Sequence, residues 1–290
     1  MRELTEVTSG VWVATAKIWT SNTVVVVDDD GAALVVDPGI TPDEVEGLAA
    51  AVRAHGWHVT AGLSTHPHWD HVLWSRSLGN VPRLATPRAI AALVGDVERG
   101  WTEAGAAAPG HERALFGDLV PLGTASEVPS GADVPLPPPV PRGCRVVVHD
   151  AHAPGHLALV TRGVLAAGDM LSDLEVPLLD VGPGGDADRA PGDPLADYRW
   201  ALDVLERAVE TYDVEVLVPG HGSVTFGRDA ILDRFAADRA YLRALERTAT
   251  AVSTPAEAEP EVADPRLADE WVAGEHAAQR AFLVGRRAGA

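Results

Sequence analysis

The chain has one cysteine, Cys144, and one lysine, Lys17, in 290 residues. A lone cysteine excludes an internal disulfide framework and fits a reducing, cytoplasmic setting. Cys144 also has no His/Asn partner at a recognisable spacing, so a catalytic thiol is not expected. With lysine nearly absent, 42 Asp and Glu outweigh 23 Lys and Arg, for a formal charge of −19. A chain without a basic stripe suits neither nucleic acid, whose phosphates demand clustered cations, nor an anionic membrane. No apolar run approaches the roughly 20 residues that span a bilayer. The start, "MRELTEVTSGVWV", lacks the apolar stretch of a signal peptide. Neither a Gly-rich phosphate loop nor a G-x-S-x-G elbow is present. Nucleic acid and membranes are therefore not expected as partners, and a small-molecule substrate is the expectation.

What is present is an ordinary globular composition, 46% hydrophobic and 22% charged, in a chain long enough for a large core. "GVWVATAKIW", "NTVVVVDDDG" and "AALVVDPG" read as an antiparallel meander of short β-branched strands. "TPDEVEGLAAAVRAHG" reads as a helix capped by Thr41 or Asp43 and stopped by Gly56. "HVTAGLSTH" is the next strand, and "DHVLWSRSLGN" reads as a short helix with Asp70 at its N-cap. "PRLATPRAIAALVGD" adds a strand and a helix. "PSGADVPLPPPVPRG" reads as an extended proline-rich loop. "CRVVVHDAHAPGH", "LALVTRGVLAAGD" and "VEVLVPGHG" restore strand runs, with a helix near 194–212 before the last. Two helical segments, about 227–248 and 265–287, end the chain. Strand runs followed by helices, twice over, predict two sheets packed face to face with helices outside.

"STHPHWDH", Ser64 to His71, crowds three of the 11 histidines and an aspartate into one turn. In an extended segment residues i and i+2 share a face, so His66 and His68 can converge on one point. Asp70 and His71 follow where strand gives way to helix. Imidazole and carboxylate together suit Zn, and also Fe or Mn. "APGHL" presents His156, "AAGDM" presents Asp169 and "VPGHG" presents His221, each at a Gly-marked strand end. Taken singly, each of these is equally a strand-end polar residue. Together they make a set of five His and two Asp.

This set resembles the metallo-β-lactamase-fold hydrolase superfamily, motif by motif: "VVDPG", "THPHWDH", "APGH", "AAGDM" and "VPGHG", over roughly Val11 to Gly222. The resemblance implies an α/β (α+β) fold, an αββα sandwich of two mixed sheets with helices outside. It implies a catalytic domain over 1–250, with a cap insertion at about 80–142, and a C-terminal helical extension over 251–290. It also implies two metal ions, zinc by preference. His66, His68 and His156 would hold the first and Asp70, His71 and His221 the second, with Asp169 bridging and Asp37 orienting ligands from behind. The implied reaction is attack by a metal-bound hydroxide on an ester-like bond (thioester, lactone or carboxylic ester), with Asp70 as proton shuttle. Asp169 departs from the true β-lactamases of this fold, and His68 from the diiron flavoprotein branch. Leu157 and Ala158 stand where the third motif often continues with Thr or Ser.

Some readings stay open. A phosphodiesterase of the same fold and a mononuclear iron, dioxygenase-like enzyme are the alternatives. His152 is either a supporting group or a strand-end surface residue, while His55, His58, His111, His149 and His276 read as solvent-facing. Trp69, Trp74 and Trp101 either line a cap over an apolar or acyl substrate or belong to the core. The tail helices either form a homodimer contact or complete the cap.

Overall fold

The computed structural model describes residues 3–181, 192–251 and 262–288. Strands β1 (Thr5–Thr8), β2 (Val11–Thr15), β3 (Asn22–Val27), β4 (Ala32–Val36), β5 (His58–Leu63), β6 (Arg83–Ala85) and β7 (Val120–Pro121) form one sheet in sequence order. Strands β8 (Asp133–Pro135), β9 (Arg145–Val148), β10 (Leu157–Thr161), β11 (Val164–Gly168), β12 (Val216–Pro219) and β13 (Thr225–Phe226) form the second, ordered β13-β12-β11-β10-β9-β8. Both are mixed: β1 to β4 pair antiparallel and β4 to β7 parallel, while β11 and β12 are the parallel pair of the second sheet.

Side-chain alternation explains why these runs are almost wholly apolar. Val24 and Val26 of β3 face the second sheet, where they meet Val146, Leu159 and Val218. Val25 and Val27 face outward onto Val45, Leu48 and Val52 of α1 (Pro42–Ala54). On the far side, Val160, Leu165 and Leu217 pack under Leu202 and Leu205 of α3 (Pro194–Thr211) and Phe235 of α4 (Arg228–Ala251). The layers are therefore helix, sheet, sheet, helix, as the motif resemblance predicts. Helix α1 is capped as expected: Thr41 Oγ1 accepts from Glu44 N–H and Glu44 returns the bond to Thr41 N–H, a reciprocal box.

Two local expectations are corrected. The run after "STHPHW" is two 3₁₀ turns, Trp69–His71 and Arg76–Leu78, rather than one short helix. Asp70 lies within the first of these turns and His68 takes the capping position, so Asp70 is free to face the sheet edge. Strands β6, β7 and β8 come from residues 83–135, while α2 (Pro87–Ala107), capped by Thr86, leans toward the site edge. Trp74 is core: its ring is buried and its Nε1–H donates to Gly79 O at 3.0 Å. The last helix, α5 (Glu270–Ala288), packs on α4.

Candidate metal centre

The chemistry-bearing residues gather where the ends of β4, β5, β11 and β12 meet. Asn22 ties the two sheets together there. Its Nδ2 donates to Pro219 O at 2.9 Å and Gly222 O at 2.8 Å, holding the "VPGHG" turn against β3. Leu157 N–H donates to Thr65 O at 2.9 Å, closing the same edge from β10. Two glycines make room. A Cβ on Gly168, whose φ is +57°, would fall against the His156 ring, and one on Gly220 would fall on Asp169 Oδ1.

Two groups of ligand-type atoms form at this edge. His66, His68, His152 and Asp169 make one; Asp70, His71 and His221 make the other. His68 Nδ1 lies 3.1 Å from His66 Nε2 and 3.1 Å from His152 Nε2. Asp169 Oδ2 is 3.4 Å from both His66 Nε2 and His152 Nε2, while its Oδ1 is 3.2 Å from His71 Nε2. Asp70 Oδ2 is 3.4 Å from His71 Nε2 and 3.3 Å from His221 Nε2. Asp169 thus belongs to both groups.

The expectation for His156 is corrected. His152 occupies the place given to it. His152 adopts φ 65°, a left-handed turn that carries its ring back toward His68. His156 lies four residues on, where the chain enters β10, and its Nε2 accepts the Asp169 backbone N–H at 3.2 Å. Its ring stacks between His66 and His149, with centroids 4.8 and 4.5 Å away. His156 is a support behind the cluster, and His149 is buried rather than solvent-facing. His111 and His276 are also partly covered, bonded to Ile40 O and Tyr241 Oη, whereas His55 and His58 are exposed. The signal for His152 was in "HAPGH": of two histidines flanking a Pro-Gly turn, the first can occupy the left-handed position that His tolerates better than most residues.

The surrounding hydrogen bonds decide which ring nitrogen faces the cluster. A carbonyl can only accept, so His152 Nδ1–H donates to Leu178 O at 3.2 Å, and His221 Nδ1–H to Trp19 O at 3.3 Å. His71 Nδ1–H donates to Asp37 Oδ2 at 2.9 Å. Thr65 Oγ1–H donates to Asp37 Oδ2 at 2.7 Å and so accepts from His66 Nδ1–H at 3.0 Å. In all four rings Nδ1 is thereby engaged, and Nε2 is the nitrogen turned toward the cluster. Carboxylate and carbonyl partners of this kind fix metal-ligating imidazoles. Asp37 sits at the hub, at φ 47°, its own carbonyl held by Thr23 Oγ1 at 2.6 Å.

These residues fit metal ions. His68 Nδ1 crowds to 3.1 Å from both His66 Nε2 and His152 Nε2, more ring nitrogens than one proton can serve, and buried His71 Nε2 and Asp169 Oδ1 have no hydrogen-bond partner among the described residues. Ligands about 2.0–2.1 Å from a tetrahedral zinc stand about 3.3–3.4 Å apart, which is the spacing seen here. Charge tells the same story. Burial disfavours charge on His71, yet Asp169, Asp70 and Asp37 outweigh it and hold the ring well above the usual imidazole range. His221 is raised by Asp169 and Asp70 against the same burial cost. Burial, with His71 nearby, pushes His66 well below it. Asp169, despite burial, is held low by His71, His221 and His66. Cys144 lies in the core, its thiol pushed up to about 11 by burial, outside this chemistry.

Above the groups opens a cavity of about 970 Å³, floored by His68, Asp70, His152, Asp169 and His221. Trp69 lines it, together with α2, the 174–181 segment and Trp271, Val272 and Glu275 of α5. Glu175 in that wall is pushed up to about 7 by burial, against the pull of His221. Trp101 packs on Phe116 beneath, at 5.4 Å.

A two-sheet sandwich carrying paired His/Asp groups at one sheet edge defines a metal-site class of fold. The family model described as the metallo-beta-lactamase superfamily matches residues 18–221, and the chain belongs to that superfamily. No curated protein matches the chain. Among solved structures, a beta-lactamase domain protein from Burkholderia ambifaria is 23% identical with TM-score 0.65, covering 97% of this chain and 87% of that one. The inverting sec-alkylsulfatase Pisa1 from Pseudomonas sp. is 14% identical with TM-score 0.67, covering 99% of this chain. The match covers 50% of Pisa1, so the chain spans half its length. A metallo beta lactamase from Hirschia baltica is 16% identical with TM-score 0.53, covering 81% of this chain and 96% of that one. At these identities the likeness is one of fold. Among the described residues no helix is long and apolar enough to cross a membrane.

Proposed function

We propose that the protein is a dinuclear metal-dependent hydrolase acting on an ester-like bond (thioester, lactone or carboxylic ester) of a small molecule. The observation that carries this reading is that two groups of inward-facing ligand atoms share one carboxylate, Asp169. His66, His68 and His152 would hold one ion and Asp70, His71 and His221 the other, with Asp169 between; the imidazole-rich set favours zinc over Fe or Mn. Ions held there would supply an activated water and would polarise the scissile oxygen.

The chain's own residues do the rest. Asp37 and Thr65 hold His66 and His71 in one tautomer, and Leu178 O and Trp19 O do the same for His152 and His221. Asp70 borders the cavity, with Oδ2 turned toward His71 and His221. From there it can take a proton and return it to the leaving group. The test pairs metal analysis with a panel of thioesters, lactones, carboxylic esters and phosphodiesters. Two zinc per chain with turnover of one of the first three classes is expected. One iron per chain, or turnover of phosphodiesters alone, overturns the reading. An Asp70→Asn variant that binds metal fully and turns over normally removes the shuttle.

A further inference from the structure

Resting on that hydrolase reading, we infer that the substrate carries a cationic group, an ammonium in chemical class, which the outer cavity recognises while the scissile bond lies at the His/Asp groups. Outside those groups, the charged side chains lining the cavity are the carboxylates of Asp96, Glu103, Glu175, Asp180, Asp269 and Glu275, and among the described residues the cation is Arg99. Arg99 is already committed. Its Nε donates to Asp96 at 2.6 Å and its Nη1 to Glu103 at 3.0 Å. Asp96 and Glu103 are paired with Arg99, and an anionic substrate arm would meet further carboxylates with no uncommitted guanidinium among the described residues to receive it.

The apolar part of the wall suits a cation too. Trp19 is 49% exposed and Trp271 is 54% exposed, and both line the cavity. Trp19 meets Trp69 edge-on at 5.6 Å and stands beside His221. An indole face next to a carboxylate attracts an alkylated ammonium through the ring quadrupole while burying its methyl groups. Glu275 lies one helical turn from Trp271 on α5, and Glu175 lines the same cavity from the 174–181 segment.

The test uses three p-nitrophenyl esters of equal length, whose acyl ends are trimethylammonium, tert-butyl and carboxylate, with the purified metal-loaded protein. The expected kcat/KM order is cation, neutral, anion, with about tenfold or more between the extremes, the scale of one cation–π contact plus screened carboxylates. Added salt and the double change Glu175→Gln with Glu275→Gln should each shrink that ratio. Equal rates for all three, or a faster carboxylate ester, overturn the inference. A second readout needs no turnover: quenching of tryptophan emission by choline against its uncharged isostere 3,3-dimethylbutan-1-ol. Tighter choline binding without hydrolysis of any ester sustains the cationic site and sinks the hydrolase reading. Ester hydrolysis without charge preference, and no tighter choline binding, does the reverse.

Discussion

Two buried polar regions of this protein are built on opposite principles. At the sheet edge, His66, His68, His152, His71, His221, Asp70 and Asp169 crowd their ligand-type atoms together, and among the described residues buried His71 Nε2 and Asp169 Oδ1 find no hydrogen-bond partner. Beneath the C-terminal helices, Arg266 spends its guanidinium entirely inside the chain. Nη1 donates to Asp238 at 2.6 Å, Glu175 O at 3.0 Å and Ser172 O at 3.2 Å, while Nε and Nη2 hold Asp264 at 3.0 and 2.8 Å. The first region leaves polar atoms unpaired, while the second pairs its guanidinium with carboxylates and carbonyls. A buried cluster that leaves its own atoms unpaired marks a binding site, and one that pairs them marks an anchor. The two are joined, because Ser172, held by Arg266, donates through Oγ to His221 O at 2.7 Å.

Variants separate the two regions. His66→Ala removes a ligand atom that no neighbour can replace, so turnover should fall to background while thermal unfolding of the metal-free protein stays near the parent. Arg266→Met leaves Asp238 buried without its partner, and denaturant unfolding should show a loss of about 3–5 kcal/mol. His156→Ala removes the acceptor for the Asp169 N–H but no inward-facing atom. A loss of about 10–100-fold in metal affinity is expected, as for other supporting partners, with two ions still bound at saturation.

The smallest signal is a pH slope. Asp238 is pushed up to about 6 because burial outweighs the pull of Arg266. A carboxyl whose folded pKa exceeds its unfolded value binds more protons when folded, so its stabilisation is present below about 4 and lost as pH rises through about 6. Between those values Asp238 should contribute a negative slope of at most about 1.4 kcal/mol per pH unit. Asp238→Asn should flatten that window in chemical denaturation series, and an unchanged slope would assign it to other groups.

Much of this was legible in the sequence because it depends on local signals. β-branched runs ending in Gly-marked turns place Asp37, Asp169 and His221 at strand ends, and the i, i+2 spacing puts His66 and His68 on one face. What was not legible depends on partners far along the chain. The choice between His152 and His156 rests on one left-handed residue and on Leu178 O, 26 residues away. Arg266 meets Ser172 O across 94 residues, a pairing no periodicity announces. The burial of His149 follows from its place at the end of β9 between two packed layers, where polarity alone would have put it outside.

Metal content measured per chain in the parent, His152→Ala and His156→Ala proteins tests the account most directly. Two ions in the parent, fewer in His152→Ala and two in saturated His156→Ala is the predicted result. Two ions retained by His152→Ala, with loss in His156→Ala, would contradict it.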